Sequence, residues 1–291
     1  MVCVDIIAAV RDEEETIPEF LARLDALQLP AGVVRRVTFV EDSSTDGTRL
    51  LLRNLAKARA DVTYYTLEKG FGQGMALVFG LSRSKGDAMV LMDVDGSHPL
   101  DVIPEMVSAF LGGARVVQCV RRSLVNRRAY RHWGAAGFFN GARLLTGIDL
   151  NEQRIYYRLV SADIARELLA APQYWNYLRF PLPRQPEGVL RMIPVDTEER
   201  RLGESKYNFR RLVVLAVDAV LSLLSESRAF VLAALVLVAD YLLARAGHWT
   251  LAIVLSLGLA FAAARYRALR RPELLDEMRV LESGNAPPPS R

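Results

Sequence analysis

Two carboxylates one residue apart, Asp93 and Asp95, close the hydrophobic run Met89-Val90-Leu91-Met92 and lead into Gly96-Ser97-His98-Pro99. Where a strand gives way to a turn, both side chains can converge on one hard cation. Mg²⁺ or Mn²⁺ held there can bridge them to a diphosphate. An Asp-x-Asp pair alone is more often structural than functional; its place at the end of an apolar run marks it as a site. A second acidic strand end reads Val40-Glu41-Asp42-Ser43-Ser44-Thr45-Asp46-Gly47-Thr48. A carboxylate there can accept hydrogen bonds from a nucleobase or ribose, whereas Ser44, Thr45 and Asp46 suit capping of the next helix. A third acidic end is Ile6-Ile7-Ala8-Ala9-Val10-Arg11-Asp12-Glu13-Glu14. Gly70-Phe71-Gly72-Gln73-Gly74 departs from G-x-G-x-x-G, which argues against a nicotinamide enzyme. It still lets the backbone approach an anion at a helix N-terminus.

These groups need a frame. Apolar runs over 2–10, 37–41, 62–67, 88–92 and 116–120 predict buried strands. Helical spacing predicts helices over 14–27, 48–60, 74–83 and 103–111, with further ones over 127–146 and 161–169. Alternation of this kind predicts an α/β fold: a mostly parallel sheet with helices on both faces and its ligand crevice beyond the carboxyl ends of the strands. Every acidic motif above falls at such an end. The stretch 172–194 is rich in proline and is expected to be irregular.

The last third changes character. Residues 212–224 are apolar but too short to cross a bilayer, and Asp218 and Ser222 interrupt them, so an interfacial amphipathic helix is expected. Two longer apolar runs, 229–246 and 249–264, predict a transmembrane hairpin turning at Gly247-His248. Arg210 and Arg211 precede it and Arg265, Arg267, Arg270 and Arg271 follow, so both flanks are expected on the cytoplasmic side. Asp240 within the first span is expected to serve structure, pairing with Arg245. After Arg271 one more short helix is expected, with residues 285–291 disordered.

Composition supports this division. Hydrophobic residues make up 51% of the 291, and the excess lies toward the C-terminus. Lys plus Arg number 37 against 33 Asp plus Glu, too mild an imbalance to indicate nucleic acid. Arg121, Arg122, Arg127, Arg128 and Arg131 form a local basic cluster suited to phosphate or anionic lipid. Cys3 and Cys119 have neither metal-site nor disulfide spacing, which fits a reducing compartment. The chain opens on Val2-Cys3-Val4-Asp5-Ile6-Ile7 without a basic region or cleavage site, so no signal peptide is expected.

Three acidic strand ends in this order resemble glycosyltransferase family 2, whose GT-A pattern has Pro-x-x-Asn-Glu-Glu, Asp-Asp-x-Ser-x-Asp-Gly-Thr, a Gly-x-Gly helix start, and Gly-Asp before a strand ending in Asp-x-Asp. Here these read Arg11-Asp12-Glu13-Glu14, Glu41 through Thr48, Gly72-Gln73-Gly74, and Gly86-Asp87 before Asp93-Val94-Asp95. Gly203-Glu204-Ser205-Lys206 is similar to a segment of dolichol-phosphate mannose synthases and bacterial polyprenyl-phosphate glycosyltransferases, many of which follow it with a transmembrane hairpin. The resemblance covers about residues 2–265, and the Gln-x-x-Arg-Trp of processive synthases does not occur. There are departures: Ala9 for proline, Asp12 for asparagine, Glu41 for aspartate, Ser97 for glutamine, and Tyr156 near where relatives carry a carboxylate.

The resemblance implies a GT-A (Rossmann-like) catalytic domain over 1–210, a juxtamembrane helix over 211–228, a hairpin over 229–265 and a cytoplasmic tail over 266–291. It implies a nucleotide-sugar donor, UDP- or GDP-linked, and a polyprenyl-phosphate acceptor at the cytoplasmic face of the cell membrane. Asp12, Glu13, Asp42 and Asp93 would contact the nucleotide, and Asp93 and Asp95 would hold Mg²⁺ or Mn²⁺ for catalysis. Arg122, Arg128, Arg131 and Lys206 would receive the acceptor phosphate. Inverting single displacement and self-association through the membrane helices are the further expectations. Another lipid acceptor, or a nucleotide-sugar binder without turnover, are the competing readings.

Overall fold

The computed structural model describes residues 1–121, 144, 154–172, 175, 189–196, 221, 224, 226–268 and 270–286. The expected helices over 127–146 and 212–224 fall almost wholly outside that set. So do Arg122, Arg128, Arg131, Lys206 and the Gly203-to-Lys206 segment.

Four strands form the parallel centre: β1 (Val2–Val10), β2 (Val33–Glu41), β3 (Val62–Leu67) and β4 (Ala88–Met92). Between them run α1 (Thr16–Asp25), α2 (Thr48–Ala58) and α3 (Gln73–Arg83), and α4 (Ile103–Leu111) follows. These match the sequence expectations to within a few residues, β2 beginning earlier at Val33. Register places Val10 opposite Glu41, Ala8 opposite Met92 and Glu41 opposite Thr66, so four carboxyl ends open on one edge.

Three strands and one helix extend this centre: β5 (Val116–Arg121), β6 (Arg154–Ser161), α5 (Ala162–Leu169) and β7 (Leu190–Val195). With β8 (Val280–Gly284) the order is β7-β5-β6-β4-β1-β2-β3-β8. β6 runs antiparallel to both β4 and β5, and β8 antiparallel to β3, so the sheet is mixed. β7 corrects the expectation of an irregular 172–194 stretch: it lies parallel to β5 at the sheet edge, where Pro194 can be accommodated. β8 corrects the expectation of a plain tail, although a short helix, Glu273–Asp276, does precede it.

Period-two alternation along β1 feeds two apolar layers. Val4, Ile6 and Ala8 join a cluster with Phe20 of α1, Leu52 of α2 and Met106 of α4. Ile7 joins the opposite cluster with Phe79 of α3 and Ile164 of α5. Truncating a leucine or isoleucine in either layer to alanine costs about 2–5 kcal/mol. Gly80 lets α3 sit tight on the sheet, since a Cβ there would run into Ile7 and lie 3.0 Å from Val40 Cγ2.

Two further helices, α6 (Glu226–Arg245) and α7 (Trp249–Ala268), have 20 residues each. That length gives about 30 Å, the thickness of a bilayer's hydrocarbon core. They pack on each other and turn at Gly247, φ +83°. Phe230, Leu235, Leu242 and Phe261 lie on their exposed surface, as a helix pair facing lipid requires. Asp240 does not take the expected partner: its Oδ2 accepts from Ser256 Oγ at 2.9 Å across the hairpin, and Arg245 reaches Tyr241 Oη at 3.5 Å. A short hydroxyl on the facing helix partners one carboxylate oxygen without bringing a second charge into an apolar layer, and the other, Oδ1, is buried without a hydrogen-bond partner among the described residues.

Candidate active site

The first two acidic turns are stitched together. The Asp42 amide donates to the Val10 carbonyl at 2.9 Å, continuing the β1–β2 ladder past its end. Asp12, in the left-handed region at φ +56°, receives the Thr45 amide on Oδ1 at 2.6 Å and gives its own amide to Ser44 Oγ at 3.0 Å. The Thr45 amide hydrogen bond holds the Asp12 carboxyl below its ordinary range. Glu13 donates its amide to Thr48 Oγ1 at 2.9 Å, and Glu14 Oε2 accepts from Gly47 at 2.5 Å. The polar run expected to cap α2 therefore spends much of its capacity on the neighbouring turn.

Glu41 is wholly buried; Oε2 accepts from Arg49 Nε at 2.8 Å and Oε1 from the Ser44 amide. Its extra methylene relative to aspartate carries the carboxylate back to α2. Asp42 instead faces the glycine loop, with Oδ1 accepting from the Phe71 amide at 2.6 Å and Oδ2 from Gly72 at 2.8 Å. Gly72 adopts φ +89°, which a side chain would disfavour, and α3 starts at once.

Asp93 and Asp95 stand past the end of β4. Asp95 Oδ1 accepts the Ser97 amide at 3.1 Å, closing a turn that needs Gly96 at φ +78°. Gln73, first residue of α3, donates from Nε2 to Asp93 Oδ1. The Asp93 amide donates to His98 Nδ1 at 2.9 Å, so the imidazole proton sits on Nε2. His98 stacks on Tyr157 of β6, centroids 4.9 Å apart and planes 9° from parallel. Tyr157 Oη donates to the Pro99 carbonyl at 2.9 Å, and deep burial pushes its phenol well above the ordinary value.

A cleft of about 210 Å³ brings these ends together. Among the site residues expected from sequence, Glu13, Asp42, Asp93 and Asp95 line it, while Asp12 does not and instead braces the Thr45 turn through Oδ1. Arg122, Arg128, Arg131 and Lys206 lie outside the described residues. Arg11 and Gln73 line the cleft although neither was singled out beforehand. Their signal was position alone: Arg11 follows the last residue of β1 and Gln73 opens the helix after the glycine loop. Tyr157 had no local signal, since its partner His98 is 59 residues away in sequence.

The donor set suits a hard divalent cation, being carboxylate oxygen throughout. Among the described residues no three His, Cys, Asp or Glu side chains converge on one point. A cation here would rest on Asp93 and Asp95 and complete its shell from water and ligand oxygens, the habit of Mg²⁺ at phosphate sites.

Comparison with known proteins identifies the family. The sequence profile of Glycosyl transferase family 2 matches residues 5–168. An undecaprenyl-phosphate 4-deoxy-4-formamido-L-arabinose transferase from Pseudomonas fluorescens (strain SBW25) is 28% identical over 220 residues, 74% of this chain and 63% of that protein. This chain thus spans less than two thirds of that relative's length. A prophage bactoprenol glucosyl transferase homolog from Escherichia coli (strain K12) is 24% identical over 226 residues, 75% of this chain and 71% of that protein. Among solved structures, mannosyl-3-phosphoglycerate synthase from Rubrobacter xylanophilus superposes with TM-score 0.49 at 19% identity, covering 76% of this chain and 72% of that one.

Proposed function

The chain belongs to glycosyl transferase family 2, and on that premise we propose that it transfers a sugar from a UDP- or GDP-linked donor to a polyprenyl phosphate at the cytoplasmic face of the cell membrane. The observation that carries this reading is the shared cleft, where Asp93 and Asp95 meet the glycine loop held by Asp42, in a chain that also carries two membrane-length apolar helices. The polyprenyl-phosphate names of the relatives support the acceptor class.

In this reading the nucleoside lies toward Asp42 and Glu13 and the diphosphate toward Asp93 and Asp95. The Phe71 and Gly72 amides donate to Asp42, which fixes the loop at the cleft wall with its backbone close to the ligand. Arg11 adds positive charge at the cleft wall, where the diphosphate and the departing nucleotide are anionic. When bound, Mg²⁺ or Mn²⁺ supplies Lewis-acid stabilisation of charge on the leaving diphosphate. Gln73 and the His98–Tyr157 stack hold Asp93 in place, which costs no reorganisation during the reaction.

A phosphate monoester is ionised at neutral pH, so the acceptor needs aiming rather than deprotonation. One acceptor oxygen bonds to the anomeric carbon as the bond from that carbon to the donor β-phosphate oxygen breaks, and the electron pair leaves with the nucleoside diphosphate. A single displacement inverts the anomeric centre. Arg122, Arg128, Arg131 and Lys206 are the proposed aiming groups. The apolar hairpin keeps the cleft beside the headgroups with both its flanks in the cytoplasm, and its surface is available for self-association.

Incubating the purified full chain with Mg²⁺ or Mn²⁺, radiolabelled UDP- and GDP-sugars and polyprenyl phosphates tests this directly. Label appearing in the lipid phase supports it. Donor hydrolysis without lipid labelling would point to another acceptor, and neither binding nor hydrolysis would sink the donor assignment.

A further inference from the structure

After the apolar hairpin the chain returns to the sheet. β8 pairs antiparallel with β3, Thr66 opposite Glu282 and Leu67 opposite Val280. The ladder runs on as the Glu68 amide donates to the Arg279 carbonyl at 3.0 Å. Side chains lock this register. Arg53 of α2 donates to both Glu282 carboxylate oxygens at 2.5 Å, and Tyr64 Oη donates to Glu282 Oε1 at 2.5 Å. Asn285, expected to be disordered, is pinned instead: Nδ2 lies 2.7, 3.0 and 2.8 Å from the carbonyls of Ala56, Arg59 and Val62. Gly284 fits only because it lacks a side chain, a Cβ there falling 2.5 Å from Tyr64 Cε1 and 3.0 Å from Ala56 Cβ.

This segment adjoins the glycine loop of the cleft. β3 ends at Leu67, and Glu68-Lys69 lead straight into Gly70-Phe71-Gly72. Asp42 grips that loop from one side through the Phe71 and Gly72 amides. On the other side Met278 is buried in the apolar cluster of Leu67 and Met75, and Phe71, Leu274 and Leu275 pack against the same cluster. Glu68 and Lys69 line one open cavity of about 850 Å³ with Glu273, Asp276, Glu277 and Arg279. Arg53 and Glu282 do not line the donor cleft itself, so any influence they have on it runs through the loop.

From this geometry we infer that residues 273–285 are a positioning element of the donor site, a strap that holds the 69–72 loop in the conformation Asp42 closes around the nucleoside diphosphate. The inference rests on the donor assignment above. Its mechanical part, that the strap orders the loop, can be measured without any ligand.

The test uses the whole 291-residue chain in detergent micelles and three variants: Glu282→Lys, Gly284→Val and the charge swap R53E/E282R. Hydrogen exchange reports the order of the loop and of β8, and protection of β1 and β2 reports that the sheet is intact. UDP and GDP, each with Mn²⁺, are the binding probes. Releasing the strap should speed exchange at Phe71 and Gly72 and weaken the nucleoside diphosphate about tenfold, as for a loop in its binding state about a tenth of the time. The donor KM should rise in step, while kcat and the acceptor KM stay within about twofold. The charge swap should restore both exchange and affinity. The inference is overturned if β8 exchanges freely in Glu282→Lys or Gly284→Val while the loop stays protected, or if donor and acceptor constants worsen together. Should the unaltered protein bind neither UDP nor GDP, the donor assignment fails, and loop exchange alone judges the strap.

Discussion

Asp93 and His98 face each other across the Gly96 turn, the Asp93 amide donating to His98 Nδ1 at 2.9 Å. The hydrogen bond fixes where the Asp93 carboxylate starts, and the Tyr157 ring fixes where His98 lies. His98→Ala leaves a part-buried amide without its acceptor, a cost of about 1–3 kcal/mol that should fall on transition-state positioning. We expect kcat/KM to drop roughly tenfold or more. His98→Asn, whose side-chain oxygen can stand in for Nδ1, should recover part of that loss. Tyr157→Phe keeps the stack and loses only the bond to the Pro99 carbonyl, about 1 kcal/mol, so activity should fall about fivefold. Steady-state kinetics of the three variants check the ranking.

Asp95→Asn should lower kcat by at least about a hundredfold, the scale seen when a group stabilising developing charge is removed. The melting temperature should barely move, since Asp95 anchors a short, part-buried turn past the end of β4. Chelation with EDTA should abolish transfer, and Mg²⁺ or Mn²⁺ should restore it. Normal turnover in Asp95→Asn would refute the cation-holding role.

Asp42→Asn replaces one of two accepting oxygens with an amide nitrogen, setting donor against donor at the Phe71 or Gly72 amide. Nucleoside diphosphate affinity should weaken about tenfold, an energy of about 1.4 kcal/mol. Calorimetric titration with UDP and GDP reads this directly.

Acid should destabilise the fold through Asp25. Arg59 donates to both its oxygens, at 2.6 and 2.8 Å, and Arg35 adds a third bond at 2.7 Å. These arginines, Arg59 foremost, hold the Asp25 carboxyl down at about 2. The folded pKa is depressed, so the contribution is complete above the unfolded value of about 4 and is lost as pH falls toward 2. Melting temperature measured from pH 7 to pH 2.5 should decline below about pH 4, and Asp25→Asn should start lower and decline less.

Much of this was legible in the chain itself. β1 through β4 and their helices follow from apolar runs and helical spacing, because each buries its own face and needs no distant partner to be recognised. The placement of Asp42, Asp93 and Asp95 past strand ends followed from the same runs, and parallel pairing then had to bring those ends to one edge. The two membrane-length helices were equally plain, since their composition is uniform over some five turns each.

Other features were settled only by tertiary structure. Leu190-Arg191-Met192-Ile193-Pro194-Val195 reads as loop because an edge strand half open to solvent shows no clean alternation and tolerates proline. Val280-Leu281-Glu282-Ser283-Gly284 is a short, weakly apolar strand whose stability comes from Arg53, Tyr64 and the β3 edge, more than two hundred residues away. Asp12, expected at the nucleotide, has its Oδ1 accepting from the Thr45 amide, while Arg11 beside it lines the cleft. Sequence determines which backbone each segment favours and where charge can emerge from the sheet. Which of two adjacent side chains faces the cleft, and which remote strand covers an exposed edge, depends on contacts that exist only once the chain has closed on itself.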